Sequence, residues 1–171
     1  MSLRPSVTDK DHVRGKKNAP IELVEYGDYE CPYCREAYYY VKELQKVLGD
    51  ELKLIFRNFP IYNVHPHALH AATAAEAAGD YGKFWEMHDM LYENQNHLKD
   101  EDLIGYAREI GLDSQTFESH FSDSKYAGKI DGDIESGLRS GVSGTPSFFI
   151  NGLKYHGDYS KEGLLEYIQS L

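Results

Sequence analysis

Cys31 and Cys34 are the only cysteines of the 171-residue chain, and Pro32 and Tyr33 separate them. If a helix begins at Pro32, both sulfurs lie in its first turn, where proline fits because its missing N–H would have no intrahelical partner. The free amide groups and the dipole of a helix start favour a thiolate over a thiol. Such a thiolate can attack a foreign disulfide, and the second thiol can then resolve the mixed disulfide. The pair therefore predicts thiol–disulfide exchange.

Two other interpretations of the cysteine pair stay open. The sulfurs could form half of a zinc site, although structural zinc usually takes four Cys and His ligands and the chain has no second cysteine pair. His67 and His70 would share a helix face and could offer metal ligands, but they could equally cap and pack that helix. The cysteines could also be buried and inert.

The segments around the pair favour the redox interpretation. Residues Ile21–Tyr26 alternate and are rich in β-forming types, so they predict a strand. Apolar residues recur at helical spacing from Pro32 to about Leu48, and Gly49 is a suitable helix end. Residues Leu52–Arg57 predict a second strand, which should pair in parallel with the first through a right-handed crossover. In such a βαβ setting, a C-x-x-C motif is typical of redox proteins.

The rest of the chain predicts a helical insertion followed by a hairpin and a last helix. Over about residues 62–141 there is almost no strand signal, and several segments have helical periodicity. Strand character returns at Ser147–Ile150. Asn151-Gly152 is typical of a tight hairpin turn, Lys154–His156 would form the returning strand, and Ser160 would cap a terminal helix.

Length and composition limit the classes of protein that fit. The chain is long enough for one domain, which we expect over residues 19–171 after a polar arm over residues 1–18. Lys and Arg number 18 against 28 Asp and Glu, which gives a formal net charge of −10. This charge argues against a nucleic-acid or anionic-membrane partner. No apolar run approaches the length needed for membrane insertion.

Pro146 stands directly before the strand predicted at Ser147–Ile150. Because proline cannot donate to a β-ladder, it marks a strand start or a special turn. A cis bond is possible in such a turn, although only about 5–6% of X–Pro bonds in folded proteins are cis.

Taken together, these features resemble the DsbA-like thiol–disulfide oxidoreductases. The resemblance covers about residues 19–171 and implies an α/β thioredoxin fold (βαβ–ββα) with an all-helical insertion. It rests on four stretches in this order: Glu25-Tyr26 through Cys31-Pro32-Tyr33-Cys34, Arg57-Asn58-Phe59-Pro60 leading to His65-Pro66-His67-Ala68, Lys83-Phe84-Trp85, and Gly141–Gly152.

The resemblance also implies roles for individual residues. Cys31 would be the exposed nucleophile and Cys34 the buried resolving thiol. Pro146 would be a cis proline facing the pair, and Thr145 would offer its backbone to an extended substrate. Main-chain pairing of this kind carries little sequence information, so many substrates would be accepted. The expected substrate-binding residues are Pro32, Tyr33, Thr145 and Pro146.

Glu25 matches the position of a buried acidic residue beneath the cysteines in the thioredoxin fold. A buried carboxyl would have a raised pKa and could accept the proton of Cys34. Alternation with Leu23 leaves open that Glu25 faces outward, and Glu22 and Asp28 compete for the same role.

From this resemblance we expect a monomer that exchanges disulfides with polypeptide thiols as an oxidase, without a cofactor and with a redox partner that reoxidises the pair. Residues 1–20 lack the apolar core of a signal peptide. The protein is therefore expected in the periplasm or another extracytoplasmic compartment if a signal was removed, and in the cytoplasm otherwise. The alternatives are a glutathione-linked reductase, a kappa-class glutathione transferase-like protein, which the intact C-x-x-C disfavours, and a non-catalytic zinc or peptide-binding module. The tetrad is also typical of glutaredoxins, which are smaller and lack the insertion.

Overall fold

The computed structural model describes residues 1–171 and has a five-stranded sheet with the strand order β1-β3-β2-β4-β5. The strands are β1 (His12–Arg14), β2 (Ile21–Gly27), β3 (Leu52–Asn58), β4 (Ser147–Ile150) and β5 (Leu153–Lys154). The helices are α1 (Pro32–Leu48), α2 (Ala68–Gly79), α3 (Phe84–Glu93), α4 (Asp100–Glu109), α5 (Ser114–Glu118), α6 (Ser124–Arg139) and α7 (Lys161–Gln169). This is the expected thioredoxin fold with a helical insertion.

β2 is the central strand of the sheet. It runs parallel to β3 on one side and antiparallel to β4 on the other. The parallel pairing of β2 and β3 is the one that the sequence predicts for strands joined by a helical crossover. Every residue from Leu23 to Gly27 is buried. Because both faces of β2 are covered, alternation along the strand does not indicate which side chains reach water. Glu25 is therefore buried, with Phe56 and Phe148 as its cross-strand neighbours.

α1 begins at Pro32 and ends at Leu48, as the periodicity predicts. Gly49 follows with a φ of 51°, a left-handed conformation that glycine adopts without steric cost. The buried stripe of the helix consists of Cys34, Ala37, Tyr38, Val41 and Leu44. The second cysteine thus belongs to the packed face of the helix.

The insertion consists of α2 to α6, which lie inside the range predicted from the sequence. α2 is rich in buried alanines, and these small side chains let α3 and α6 pack closely against it. The largest apolar cluster joins side chains of α2, α3 and α4 with Cys31 and Cys34. The insertion therefore shares its core with the cysteine helix. None of the helices has the length and apolar character that crossing a membrane requires.

The polar arm over residues 1–18 contains a strand that the sequence pattern does not predict. Residues 12–14 form β1, which pairs antiparallel with β3 at the edge of the sheet, and Leu3 is buried. Arg57 holds this segment, since its guanidinium donates to Asp11 Oδ1 at 2.8 Å and to the carbonyl of Pro5 at 3.0 Å. A three-residue edge strand is too short to show alternation, and partners distant in the chain hold it in place.

The C-terminal elements follow the sequence prediction closely. Asn151 and Gly152 both have positive φ, at 48° and 80°, as a tight hairpin turn requires. The returning strand is Leu153–Lys154, one residue earlier than predicted, although the amide of Tyr155 still donates to the carbonyl of Phe148 at 2.9 Å. The Ser160 hydroxyl accepts from the amide of Gly163 and caps α7.

Candidate active site

Cys31 is the N-cap residue of α1, and Cys34 lies in the first turn. Both thiols are free and buried. The amide of Cys31 donates to the carbonyl of Asp28 at 3.1 Å, and its carbonyl accepts from the amide of Arg35 at 3.1 Å. The end of β2 and the start of α1 therefore hold the backbone of the first cysteine from both sides.

The two thiols have opposite acid strengths. A hydrogen bond from Cys34 is the main cause that lowers the pKa of Cys31 to about 5; burial acts in the opposite direction, and the backbone amides of Cys34 and Tyr33 assist the lowering. Burial is the main cause that raises the pKa of Cys34 above its ordinary value, and donation to Cys31 adds to it. At neutral pH the reduced pair therefore holds a thiolate on Cys31 and a thiol on Cys34.

The loop before β4 lies against the first cysteine. The Thr145–Pro146 peptide bond is cis, as the family resemblance implied. The sulfur of Cys31 is 3.6 Å from the carbonyl oxygen of Thr145. The resemblance also implied an exposed Cys31, and this expectation is wrong, because only 4% of the residue is exposed. The Thr145 carbonyl and the core of the helical insertion surround it.

Glu25 carries a buried carboxyl without a full set of partners. Only 2% of the residue is exposed, and its Oε1 atom has no hydrogen-bond partner. Burial, with a smaller contribution from the charge of Cys31, raises the pKa of Glu25 to about 8. The competing acids are already engaged: Glu22 pairs with Lys53 at 3.0 Å, and Asp28 is fully hydrogen-bonded as described below. Of the three candidates, Glu25 is therefore free to exchange a proton near pH 7.

A small cavity adjoins Glu25. Its volume is about 10 Å³, which is close to the least space that one water molecule needs. Lys42, Gln45 and His88 are among the residues that line it. Burial lowers the pKa of His88, so its imidazole is neutral at pH 7. The cavity gives the Glu25 carboxyl a polar neighbourhood on the side of α1.

Asp28 organises the turn between β2 and Cys31, a role that sequence reasoning missed. Its Oδ1 atom accepts from the amide of Glu30 at 2.8 Å. Its Oδ2 atom accepts from the amide of Ile61 at 2.8 Å and bonds His65 Nδ1 at 2.7 Å. Burial lowers the pKa of His65, but the hydrogen bond and charge of Asp28 outweigh it and the pKa is raised. Only the position of an Asp just before the motif could have indicated this.

The remaining predicted residues lie as follows. Pro32 and Tyr33 are exposed at the helix start, and 63% of Tyr33 is accessible. The Thr145 hydroxyl is buried and has no hydrogen-bond partner. His70 bonds Asp100 at 2.6 Å. No group of three or more His, Cys, Asp and Glu side chains is arranged to hold a metal ion.

Gln95, in the turn between α3 and α4, also reaches the site. Its Nε2 atom donates to the carbonyls of Tyr29, at 2.9 Å, and Cys31, at 2.8 Å. No feature of the sequence indicated this residue, because the contact spans 64 positions of the chain.

Comparisons with known proteins agree with this geometry. A family profile described as Thioredoxin matches residues 7–170. A thioredoxin-like oxidoreductase from Silicibacter pomeroyi superimposes with a TM-score of 0.84 at 26% identity, over 95% of this chain and 92% of that one. Oxidised BdbD from Bacillus subtilis has the same fold, with a TM-score of 0.87 at 23% identity, over 99% and 96% of the two chains.

A curated relative is much longer than this chain. The Na(+)/H(+) antiporter NhaA 1 of Salinispora arenicola is 48% identical over 160 residues, which are 94% of this chain and 24% of that protein. The chain thus spans about a quarter of the antiporter's length. The family profile covers nearly the whole chain, and the superposed oxidoreductases share its fold. The chain therefore belongs to the family that this profile describes as Thioredoxin.

Proposed function

We propose that this protein is an oxidase that passes its Cys31–Cys34 disulfide to the thiols of polypeptide substrates. The observation that carries this proposal is the opposite acid strength of the two cysteines, with the pKa of Cys31 lowered to about 5 and that of Cys34 raised. A thiol of low pKa is a good leaving group and stabilises the reduced pair, and both properties favour donating the disulfide.

The exchange proceeds in two substitutions. A substrate thiolate attacks Cys31 of the disulfide, the bond between the cysteines breaks, and Cys34 leaves as a thiolate. Glu25, which is protonated near neutral pH because its pKa is about 8, supplies the proton that Cys34 needs. A second substrate thiolate then attacks the substrate sulfur of the mixed disulfide, and Cys31 leaves as a stable thiolate. The substrate loses two electrons and gains a disulfide, and the cysteine pair is reduced.

The lowered pKa of Cys31 also gives the size of its contribution to the reduction potential of the pair. At pH 7 its thiolate stabilises the reduced protein by about 3 kcal/mol relative to an ordinary thiol. For a two-electron couple this corresponds to about 60 mV. Thioredoxin and DsbA differ by about 150 mV, so the thiolate alone accounts for less than half of that gap.

The backbone of Thr145 is the proposed docking element for an extended substrate chain. Its carbonyl lies 3.6 Å from the sulfur of Cys31, so a strand that pairs with this loop would bring its own sulfur over the cysteine. Tyr33, which is largely exposed, would contact the substrate beside the sulfur. This arrangement requires no particular sequence in the substrate.

Three further features complete the proposal. We place the protein outside the cytosol, because an oxidising pair stays oxidised only where thioredoxin and glutathione do not reduce it. It acts as a monomer. A separate redox partner reoxidises Cys31 and Cys34 after each turnover, since the chain contains no further cysteine.

The equilibrium potential of the pair against glutathione tests the proposal. We expect a potential between about −180 mV and about −120 mV, the values of protein disulfide isomerase and DsbA. A value near about −270 mV, that of thioredoxin, would instead make the protein a reductase. A Cys34→Ser variant, first converted by oxidised glutathione to the Cys31–glutathione mixed disulfide, should exchange to mixed disulfides with unfolded polypeptide thiols while glutathione leaves as its thiol. A variant that keeps only glutathione would favour the glutathione-linked reductase.

A further inference from the structure

One amide side chain of the helical insertion contacts residues Tyr29–Cys31, which we call the cysteine loop. Gln95 Nε2 uses both of its hydrogens, one toward the Tyr29 carbonyl at 2.9 Å and one toward the Cys31 carbonyl at 2.8 Å. A second contact lies nearby, where the amide of His67 donates to Glu30 Oε2 at 2.7 Å. The insertion therefore holds the three residues from Tyr29 to Cys31 directly.

The backbone of Cys31 decides where its sulfur lies. As the N-cap residue it has φ −73° and ψ 121°, and no side chain caps the helix there. Its own amide donates to Asp28 and its carbonyl accepts from Arg35, so Gln95 supplies the bond that comes from outside the β2–α1 unit. A rotation at this residue would move the sulfur away from the first-turn amides of Tyr33 and Cys34.

We propose that Gln95 is a positioning residue of the exchange reaction, through which the insertion fixes the Cys31 backbone and orients its sulfur toward the first turn of α1. The inference rests on the proposed function and deepens it, because it assigns the insertion a part in setting the reactivity of the nucleophile. Gln95 acts through Cys31 and touches no reacting atom.

The surroundings of Gln95 separate this role from a purely structural one. The side chain lines a polar cleft of about 500 Å³, together with Glu30 and Pro32. Water in such a cleft can satisfy the two carbonyls if the amide is removed. Loss of Gln95 should therefore cost little stability, whereas it removes the constraint on the cysteine loop.

The test compares two variants of Gln95 with a matched control. Gln95→Met keeps the size of the side chain and removes both donors, and Gln95→Glu places an acceptor against two carbonyls. Asn94→Ala is the control, because Asn94 precedes Gln95 and its side-chain Nδ2 donates to the Met90 carbonyl at the end of α3, at 2.9 Å, and not to the cysteine loop. The readouts are the pH midpoint of Cys31 alkylation and the equilibrium with glutathione.

We expect the midpoint to rise by about half a pH unit in Gln95→Met and further in Gln95→Glu, and the glutathione equilibrium to move about threefold toward oxidised protein. Asn94→Ala should leave both unchanged, even where it lowers the unfolding midpoint. If both Gln95 variants match the wild type in these readouts while the wild type titrates as an oxidant, the positioning role is wrong and the proposed function stands. If the wild type does not exchange with glutathione at all, both fail. Should Gln95→Met not fold, Gln95→Glu alone decides.

Discussion

Glu25 and Glu76 are both buried glutamates, 2% and 5% exposed, yet their surroundings give them opposite properties. Glu25 has an oxygen without a partner, and burial raises its pKa to about 8. Burial also raises the pKa of Glu76, but His12, Lys129 and Asn58 outweigh it and the net pKa is lowered. The same side chain is therefore a titrating acid beside the cysteines and a fixed charge on the other side of β3.

The partners of Glu76 explain the difference. His12 Nε2 lies 2.8 Å from one carboxylate oxygen, and Asn58 Nδ2 donates to the other at 2.7 Å. Lys129 is 3.4 Å from the same carboxylate and also pairs with Asp133. These groups come from β1, β3, α2 and α6, so the network ties the N-terminal segment and the insertion to the sheet. The comparison indicates that a buried carboxyl has a structural role where it is fully paired and can exchange a proton where an oxygen lacks a partner.

The largest expected effect is the loss of folding stability when Glu76, the paired glutamate, is replaced. Glu76→Gln removes the charge that His12 and Lys129 face, and breaking a buried pair in this way should lower the free energy of unfolding by about 4 kcal/mol at pH 7. Urea unfolding measures this, with exchange against glutathione as the activity readout. An unfolding free energy equal to that of the wild type would contradict a structural role for the network.

Glu25→Gln, in contrast, should raise the free energy of unfolding at pH 7. The raised pKa means that protonating Glu25 on folding costs up to about 3 kcal/mol at pH 7, and the cost vanishes below the unfolded value near pH 4.5. Glu25→Gln should therefore stabilise the reduced protein at pH 7 by at most this amount and should not do so at pH 4. Urea unfolding at both pH values measures it. Equal destabilisation at the two pH values would show that Glu25 is paired like Glu76.

The Cys31 thiolate should make the reduced protein sensitive to acid. Because its folded pKa is lowered, the stabilisation grows as pH rises above about 5 and is lost as pH falls through that value. The difference in unfolding free energy between reduced and oxidised protein should therefore shrink by about 2 kcal/mol from pH 7 to pH 5. The unfolding free energy of Cys31→Ser should fall less from pH 7 to pH 5 than that of the reduced wild type, because the variant has no thiolate at this position. An equal fall in the two proteins would assign the effect to other groups.

The smallest expected effect is the change in the pH dependence of Cys31 alkylation when Glu25 is replaced. At pH 5 Glu25 is already protonated, so Glu25→Gln should leave the midpoint of Cys31 alkylation near 5. The wild type should show a second, shallower inflection near pH 8 that the variant lacks, since ionised Glu25 and the thiolate repel each other. Alkylation rates between pH 4 and pH 9 measure both, and an inflection near 8 in the variant would assign that titration to another group.

Local signals in the sequence predicted much of the fold. Pro32 and Gly49 bound α1, Asn151-Gly152 forms the hairpin turn, and Ser160 caps α7. Each position depends on a backbone conformation or a capping bond that its residue type favours. β1 was not predicted, because its three residues have no pattern of their own and pair with β3 residues 40 to 44 positions away.

The residues of the candidate site also divide into those that the sequence indicated and those that only the tertiary structure identified. The types and spacing of Cys31 and Cys34 predicted thiol–disulfide exchange, because a helix start favours a thiolate on the sulfur that its amides reach. Only the tertiary structure decided that Cys31 is buried, that Glu25 is free while Glu76 is paired, and that Gln95 reaches the cysteine loop. Burial and partnership depend on which distant segments pack together, and no single stretch of sequence carries that information.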